Sequence, residues 1–421
     1  MGVSARAGAG NDVTAPQGEV MENTLKTEEH LCLKRKGDTR QEEAVKRRQT
    51  ASPPTTLQVQ ENLYDAAFPF YKQPLEMGRF SLDATRSFFN DSRQLRYYSP
   101  PPPGDSPQFD LRDGYRDRYV KRDESIKERL DHLLQWILLN QGLLKAGAAS
   151  SETTSSWLNK DFVTWRGHLT KVLTTPYEKQ EGWLLAVTLF QGTYYISEVE
   201  TEAARRQREE RTAAQEELMY MGYKFEQYLC AATSEGIPDT GGVVNTNEAF
   251  CTVVQTKLNG HSLLFAGEVD CADSKHRSQK APDCYVELKT SKEIYSANQQ
   301  RSFNRYKLIK WWAQSFLPGV PRIVAGFRDE EGTVASLKTF ETMKISHMIR
   351  GDWNSWKPAV CMNFCNAFLS FVKKVATQDD PRLVYLFSWE PGSDVSYSKH
   401  KDPTLAFLPA WYVSSITEVK I

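Results

Sequence analysis

Two apolar stretches, Trp183 to Phe190 and Thr193 to Val199, flank Gln191-Gly192 and predict a β-hairpin. Phe162 to Leu173 reads as a further strand region. Leu263 to Asp270 and Cys284 to Thr290 read as strands around a polar loop, and Arg322 to Phe327 and Leu383 to Trp389 as later ones. Helical spacing sets in near Ser125, where Ser125 and Glu128 have capping-box spacing ahead of an apolar stripe of Ile126, Leu130, Leu133 or Leu134, Ile137 and Leu138. A charged helix is expected from about Glu202 to Leu229, apolar only near Met219, Tyr223 and Phe225. Two more helices follow, from about Gln300 to Phe316 and from Val360 to Val375. Strands and helices interleave without an internal repeat, so the expected fold class is α/β, with mixed sheets in a single large domain flanked by helices.

The N-terminus departs from this pattern. Its first aromatic residue is Tyr64, and the stretch before it is rich in Thr, Glu, Lys and Gln. Such a segment buries too little apolar surface to offset its ordering entropy. Residues 1–62 are therefore expected to be a disordered tail, with the folded domain spanning 63–421. The tail carries Lys34-Arg35-Lys36 and Lys46-Arg47-Arg48, a spacing that resembles a two-part nuclear import signal, so nuclear residence is expected and the cytoplasm stays open. The longest apolar runs, such as Trp136 to Leu139, fall far short of a membrane span.

Charge and cysteine usage narrow the class. With 53 Lys+Arg against 53 Asp+Glu, a global positive field for nucleic acid is excluded, but a locally basic groove is not. The seven cysteines are scattered and form no CxxC pair, which points to a reduced compartment and no zinc site.

Candidate chemistry concentrates in Gly267-Glu268-Val269-Asp270 and Tyr285-Val286-Glu287-Leu288-Lys289. Side chains two apart on a strand share a face, so Glu268 pairs with Asp270 and Glu287 with Lys289, while Val286 and Leu288 turn to the opposite side. If the two strands pair, three carboxylates and one ammonium converge, and crowded anions are costly unless a cation joins them. Hard oxygen ligands suit Mg²⁺ or Mn²⁺, and two ions bridged by Asp270 would serve an in-line phosphoryl displacement. Lys289 would then pair with the scissile phosphate. A fourth carboxylate, Glu226, lies among aromatic neighbours at the end of the charged helix. Lys307, Lys310 and Gln314 fall on one helix side and could line a path for phosphates. Arg166, on a short aromatic-flanked strand, suits either a phosphate or a cross-strand ion pair. His168 beside it has no nucleophile partner and is given no chemistry.

The order Asp…Glu-x-Lys resembles the active-site pattern of restriction-endonuclease-like nucleases. Five blocks resemble the decapping exoribonuclease family of vertebrates and fungi more closely: Thr164 to Thr170, Met219 to Glu226, Gly267 to Cys271, Tyr285 to Thr290 and Lys310 to Phe316. The resemblance spans about Phe68 to Val413. It implies a metal-dependent hydrolase that removes incompletely methylated caps, NAD caps and 5′-triphosphate ends from RNA, then degrades the strand 5′ to 3′. It also implies Glu226, Glu268, Asp270, Glu287 and the Leu288 carbonyl as ligands to two Mg²⁺ or Mn²⁺ ions, and Lys289 and Gln314 as contacts to the scissile phosphate. Trp165, Arg166 and Gly167 become part of the RNA wall, and Arg86, Glu128 and Cys251 contacts to the 5′ end or the RNA. The implied partners are RNAs with 5′-phosphate, triphosphate, cap or NAD ends. No membrane is involved, a monomer is expected, and a nuclear exonuclease partner enters by family analogy alone. The competing readings are a restriction-like DNA nuclease and an inactive partner that stabilises another 5′-to-3′ exonuclease.

Overall fold

Two twisted sheets carry the molecule. In the ten-stranded sheet the order is Thr56–Leu57, Val395–His400, Val384–Trp389, Trp183–Phe190, Thr193–Val199, Phe162–Trp165, His261–Glu268, Ala249–Leu258, Leu75–Leu82 and Phe88–Phe89. The seven-stranded sheet runs Cys230–Ala231, Tyr97–Tyr98, Cys271–Ala272, Tyr285–Lys292, Arg322–Arg328, Thr333–Glu341 and Phe109–Asp110. The computed structural model describes residues 55–102, 104–146, 157–276, 278, 280–352 and 354–418. Pro53–Ile421 form one unit. The two basic clusters of the N-terminal region lie outside the described residues.

The predicted hairpin is present over Trp183–Phe190 and Thr193–Val199. Gln191 and Gly192 both take positive φ, at 51° and 75°, the turn that matches the twist of paired strands. Leu185 and Val187 face one core while Ala186 and Phe190 face another, so the strand is apolar on both sides. The first core joins both sheets: Leu185 and Phe265 from one, Ile323 and Ala325 from the other, with Trp311, Trp312, Phe364 and Phe368 from helices packed on them.

Several expected boundaries move, each for a local reason. Thr56–Leu57 pair with Val395–Ser396, so the folded body begins before residue 63. No helix starts at Ser125. Asp123 accepts from both the amide and the hydroxyl of Ser125, and the Asp131–Leu139 helix begins only after Arg129, whose φ is 50°. The Phe162 to Leu173 strand stops at Trp165, and Arg166–Thr174 is helical. The single charged helix is two, Glu202–Glu209 and Ala213–Leu229, separated where Thr212 and Gln215 form a capping box. The Gln300 to Phe316 helix contains a π-helical turn over Phe303–Lys307.

The largest correction concerns Glu268 and Asp270. They do not share one strand. His261–Glu268 ends in the ten-stranded sheet, and Cys271–Ala272 starts in the seven-stranded one, pairing with Tyr285 and Val286. Within Glu268, Val269 and Asp270 the chain therefore crosses from one sheet to the other.

Candidate active site

Four elements bring the charged residues together at this crossing. Register does much of the work. Trp165 pairs with Ala266 in parallel, so Arg166, the next residue, stands beside Gly267 and Glu268. Its Nη1 donates to the Glu268 carbonyl at 2.9 Å and lies 3.6 Å from Glu287 Oε2. Gly267 eases this approach, since a Cβ there would meet Arg166 Cδ at 3.0 Å. The Arg is 7% exposed, so its charge is committed to the interior.

Tyr285–Lys292 presents Glu287 and Lys289 on one face, as the alternation predicts. Val286 and Leu288 turn the other way, onto Met221, Phe225 and Leu229 of the Ala213–Leu229 helix. Phe225 packs flat enough on the neighbouring strand that a Cβ at Gly326 would come 2.4 Å from its ring. Burying that ring contributes roughly 1.5–3 kcal/mol and fixes the helix turn that carries Glu226. On this side of the Tyr285–Lys292 strand, Cys271–Ala272 covers only Tyr285 and Val286, which leaves the edge open from Glu287 onward. There Leu288 N–H donates to Asp270 Oδ2 at 2.6 Å. The Leu288 carbonyl points to the same edge, because a strand residue directs both main-chain groups to one side.

The electrostatics of the floor are uneven. Burial above all, then Asp270 and Glu268, holds the Glu226 pKa well above the ordinary carboxylate range. Asp270 is pushed up to about 7 by burial and then by Glu287, against the pull of Lys289 and the Leu288 amide. Glu268 is raised too, burial leading, although Arg166 and Arg86 oppose it. Its side chain is open to water along a cleft but walled by protein elsewhere, which is why burial counts. Glu287 is the exception. Burial pushes it up, but Lys289 at 2.5 Å and Arg166 outweigh that and leave it below its usual value. Among the described residues the carboxylates of Glu226 and Glu268 make no hydrogen bond or ion pair. No three His, Cys, Asp or Glu side chains there are gathered tightly enough to enclose an ion as they stand. The donor set nevertheless fits a hard divalent cation: four carboxylates and an open carbonyl, three of the acids loaded with unfavourable charge.

A cleft of about 690 Å³ reaches this floor at Arg166 and Glu268. Arg86, Glu128, Trp165, Arg166, Gly167, Cys251 and Glu268 all line it. Cys251 pairs with Glu268 across the sheet, and burial pushes its thiol up, so it serves as an uncharged wall. Trp165 is anchored by Nε1 donating to the Arg129 carbonyl at 2.7 Å. Glu226 and Asp270 line a second cavity of about 270 Å³ that shares Tyr223 and Glu268 with the first. Gln314 lines a third, of about 330 Å³, next to Arg166 and Gly167. The basic helix stripe is not free as expected, because Lys307 donates to Ser291 Oγ at 3.0 Å and Lys310 pairs with Glu178 at 3.0 Å. His168 also lines the large cleft, with its ring held by Thr164, Ile196 and Glu198, and burial lowers its pKa to about 4. Sequence reasoning missed Arg122 and Tyr223 in the large cleft. The run Tyr119-Val120-Lys121-Arg122 was the available signal for the first of them.

A family model described as RAI1 like PD-(D/E)XK nuclease matches residues 72–413. The decapping and exoribonuclease protein of Homo sapiens is 57% identical over 385 residues, covering 91% of this chain and 96% of that one. Among solved structures, Scheffersomyces stipitis Rai1 in complex with (3′-NADP)⁺ and calcium ion superimposes with a TM-score of 0.70 at 25% identity, covering 82% of this chain and 93% of that one. S. pombe Rai1 in complex with 3′-FADP does so with a TM-score of 0.63 at 26% identity, covering 81% and 98%. Fold and sequence agree: the chain belongs to the RAI1-like PD-(D/E)XK nucleases, a family of decapping and exoribonuclease enzymes.

Proposed function

We propose that this enzyme hydrolyses a phosphodiester close to the 5′ end of RNA, releasing an incompletely methylated cap, an NAD cap or a triphosphate-bearing end and then degrading the strand 5′ to 3′. One observation carries the reading: Glu226, Glu268 and Asp270 stand together where the large cleft meets the second cavity at Glu268, with their pKa values raised. Anions held this close call for a cation. Glu226, Glu268, Asp270, Glu287 and the Leu288 carbonyl would hold two Mg²⁺ or Mn²⁺ ions. Bound there, such ions supply an activated water and stabilise the leaving oxygen.

The chain's own residues do the rest. Lys289, kept charged by Glu287 and Asp270 despite its burial, faces the reacting phosphate and offsets the charge that builds on it. Arg166 orders the Glu268 main chain and adds a second fixed cation, and Gln314 reaches the phosphate or its water from the far side of Arg166. Trp165, Gly167, Arg86, Glu128 and Cys251 wall the space for the 5′ moiety. The calcium and (3′-NADP)⁺ complex of the Scheffersomyces relative supports both a divalent ion and a dinucleotide-sized 5′ group.

Purified protein with Mn²⁺ or Mg²⁺, given one RNA bearing each 5′ end in turn and the matching DNA, tests this. Intact cap dinucleotide or NAD should appear first, followed by shortening from the 5′ end. Release of mononucleotide cap fragments alone, or a preference for DNA, would overturn it.

A further inference from the structure

On the wall of the large cleft, Glu128 is saturated with cations. Arg86 clasps it with two bonds, Nε to Oε1 at 2.9 Å and Nη2 to Oε2 at 2.6 Å. Arg122 Nη2 donates to the same Oε2 at 2.9 Å, and His132 Nδ1 stands 3.5 Å away. Burial lowers the pKa of His132, so the imidazole adds no charge near neutrality. Two guanidiniums thus face one carboxylate, and the group keeps one positive charge in excess.

The donor inventory shows where that charge is usable. Every nitrogen of Arg86 is engaged, since Nη1 donates to the Asn247 carbonyl at 3.0 Å. Arg122 spends only Nη2; its Nε and Nη1 have no partner among the described residues. Its side chain is 34% exposed, against 18% for both Arg86 and Glu128. The main chain holds it still: Arg122 N–H donates to Thr246 Oγ1 at 2.8 Å, next to the parallel pairing of Tyr119–Val120 with Val244–Asn245. Arg86 is the member whose charge reaches Glu268. Arg122 is thus the more exposed of the two arginines that share Glu128.

We infer that Arg122 is a further substrate-binding residue, taking a phosphate of the 5′ moiety beyond the scissile linkage, and that Glu128, on the wall of the same cleft, also aims it. The inference rests on the proposed function, in which this cleft receives the 5′ end. A guanidinium with two free edges in a preset orientation is suited to a phosphate chain, whereas an anion such as Glu128 would repel one.

The test compares 5′-triphosphate and 5′-monophosphate RNA of one sequence with the full chain and saturating Mn²⁺. Arg122→Ala should raise KM for the triphosphate RNA about tenfold, and for the monophosphate RNA at most about threefold, with kcat held within about twofold. Log KM should lose about one unit of its slope against log salt, and Arg122→Lys should recover part of the loss. Glu128→Gln should raise the triphosphate KM in the same way, and combining it with Arg122→Ala should add little further, as expected of residues acting as a unit. An equal rise for both RNAs would move Arg122 to the strand side of the cut and overturn the assignment, as would an unchanged KM. A wild-type chain inactive on both RNAs would instead overturn the proposed function itself.

Discussion

Charge is arranged in opposite ways on the rim of the large cleft and on the carboxylate floor that the cleft reaches at Glu268. Along the rim, segment 121–128 faces segment 200–216, and nearly every charge is matched. Lys121 meets Glu216 at 2.8 Å, Arg211 meets Glu124 at 2.8 Å and Glu216 at 2.9 Å, and Lys127 and Arg208 meet Glu200 at 3.1 Å and 2.9 Å. The Glu202–Glu209 helix there buries none of its residues, so ion pairs and its Thr201 cap account for its placement. On the floor, Glu226, Glu268 and Asp270 press on one another in a protein-walled space, and the nearest ammonium, Lys289, is claimed by Glu287. The rim spends its charges on itself; the floor holds them in reserve for something absent from the chain. An abundance of acidic residues is thus uninformative, and their lack of partners is what marks a reactive site.

The contrast can be broken most sharply at the floor. Glu226→Ala or Asp270→Ala should each reduce decapping and exonuclease activity together by about a thousandfold or more, equivalent to about 4 kcal/mol of barrier. Time courses on capped and 5′-monophosphorylated RNA check this, and survival of one activity would mean two separate centres. A smaller effect is expected where packing rather than charge positions the floor. Gly326→Val drives a side chain into the Phe225 ring and should cost about 1–3 kcal/mol in urea unfolding, with kcat falling as the Glu226 turn is displaced. The least effect belongs to the rim. Arg211→Gln should change unfolding free energy by less than about 1 kcal/mol, and raised salt should shrink even that difference.

What could be seen from the chain alone follows the range of the forces involved. The hairpin about Gln191-Gly192 is set by local alternation and turn chemistry, and it is found where expected. The shared face of Glu287 and Lys289 follows from a two-residue period that no tertiary contact can alter. Helix initiation at Ser125 fails because its partners are captured by others: Asp123 holds Ser125 locally, and Arg86, forty-two positions earlier in the chain, holds Glu128. Arg166 is expected on a short aromatic-flanked strand, yet Leu169, Val172 and Leu173 bury one helix face in the large core. Glu-Val-Asp reads identically whether a strand continues or changes sheets, so the crossing was invisible, although the residues flanking it were not.

That crossing sets a gauge. With only Val269 between them, the α-carbons of Glu268 and Asp270 can never stand further apart than roughly 7 Å, whatever happens to the scaffolds on either side. Either sheet can shed an outer strand, lengthen a loop or exchange its filling without resetting the span between two of the acids, and remodelling of the periphery is decoupled from the spacing of two proposed metal ligands.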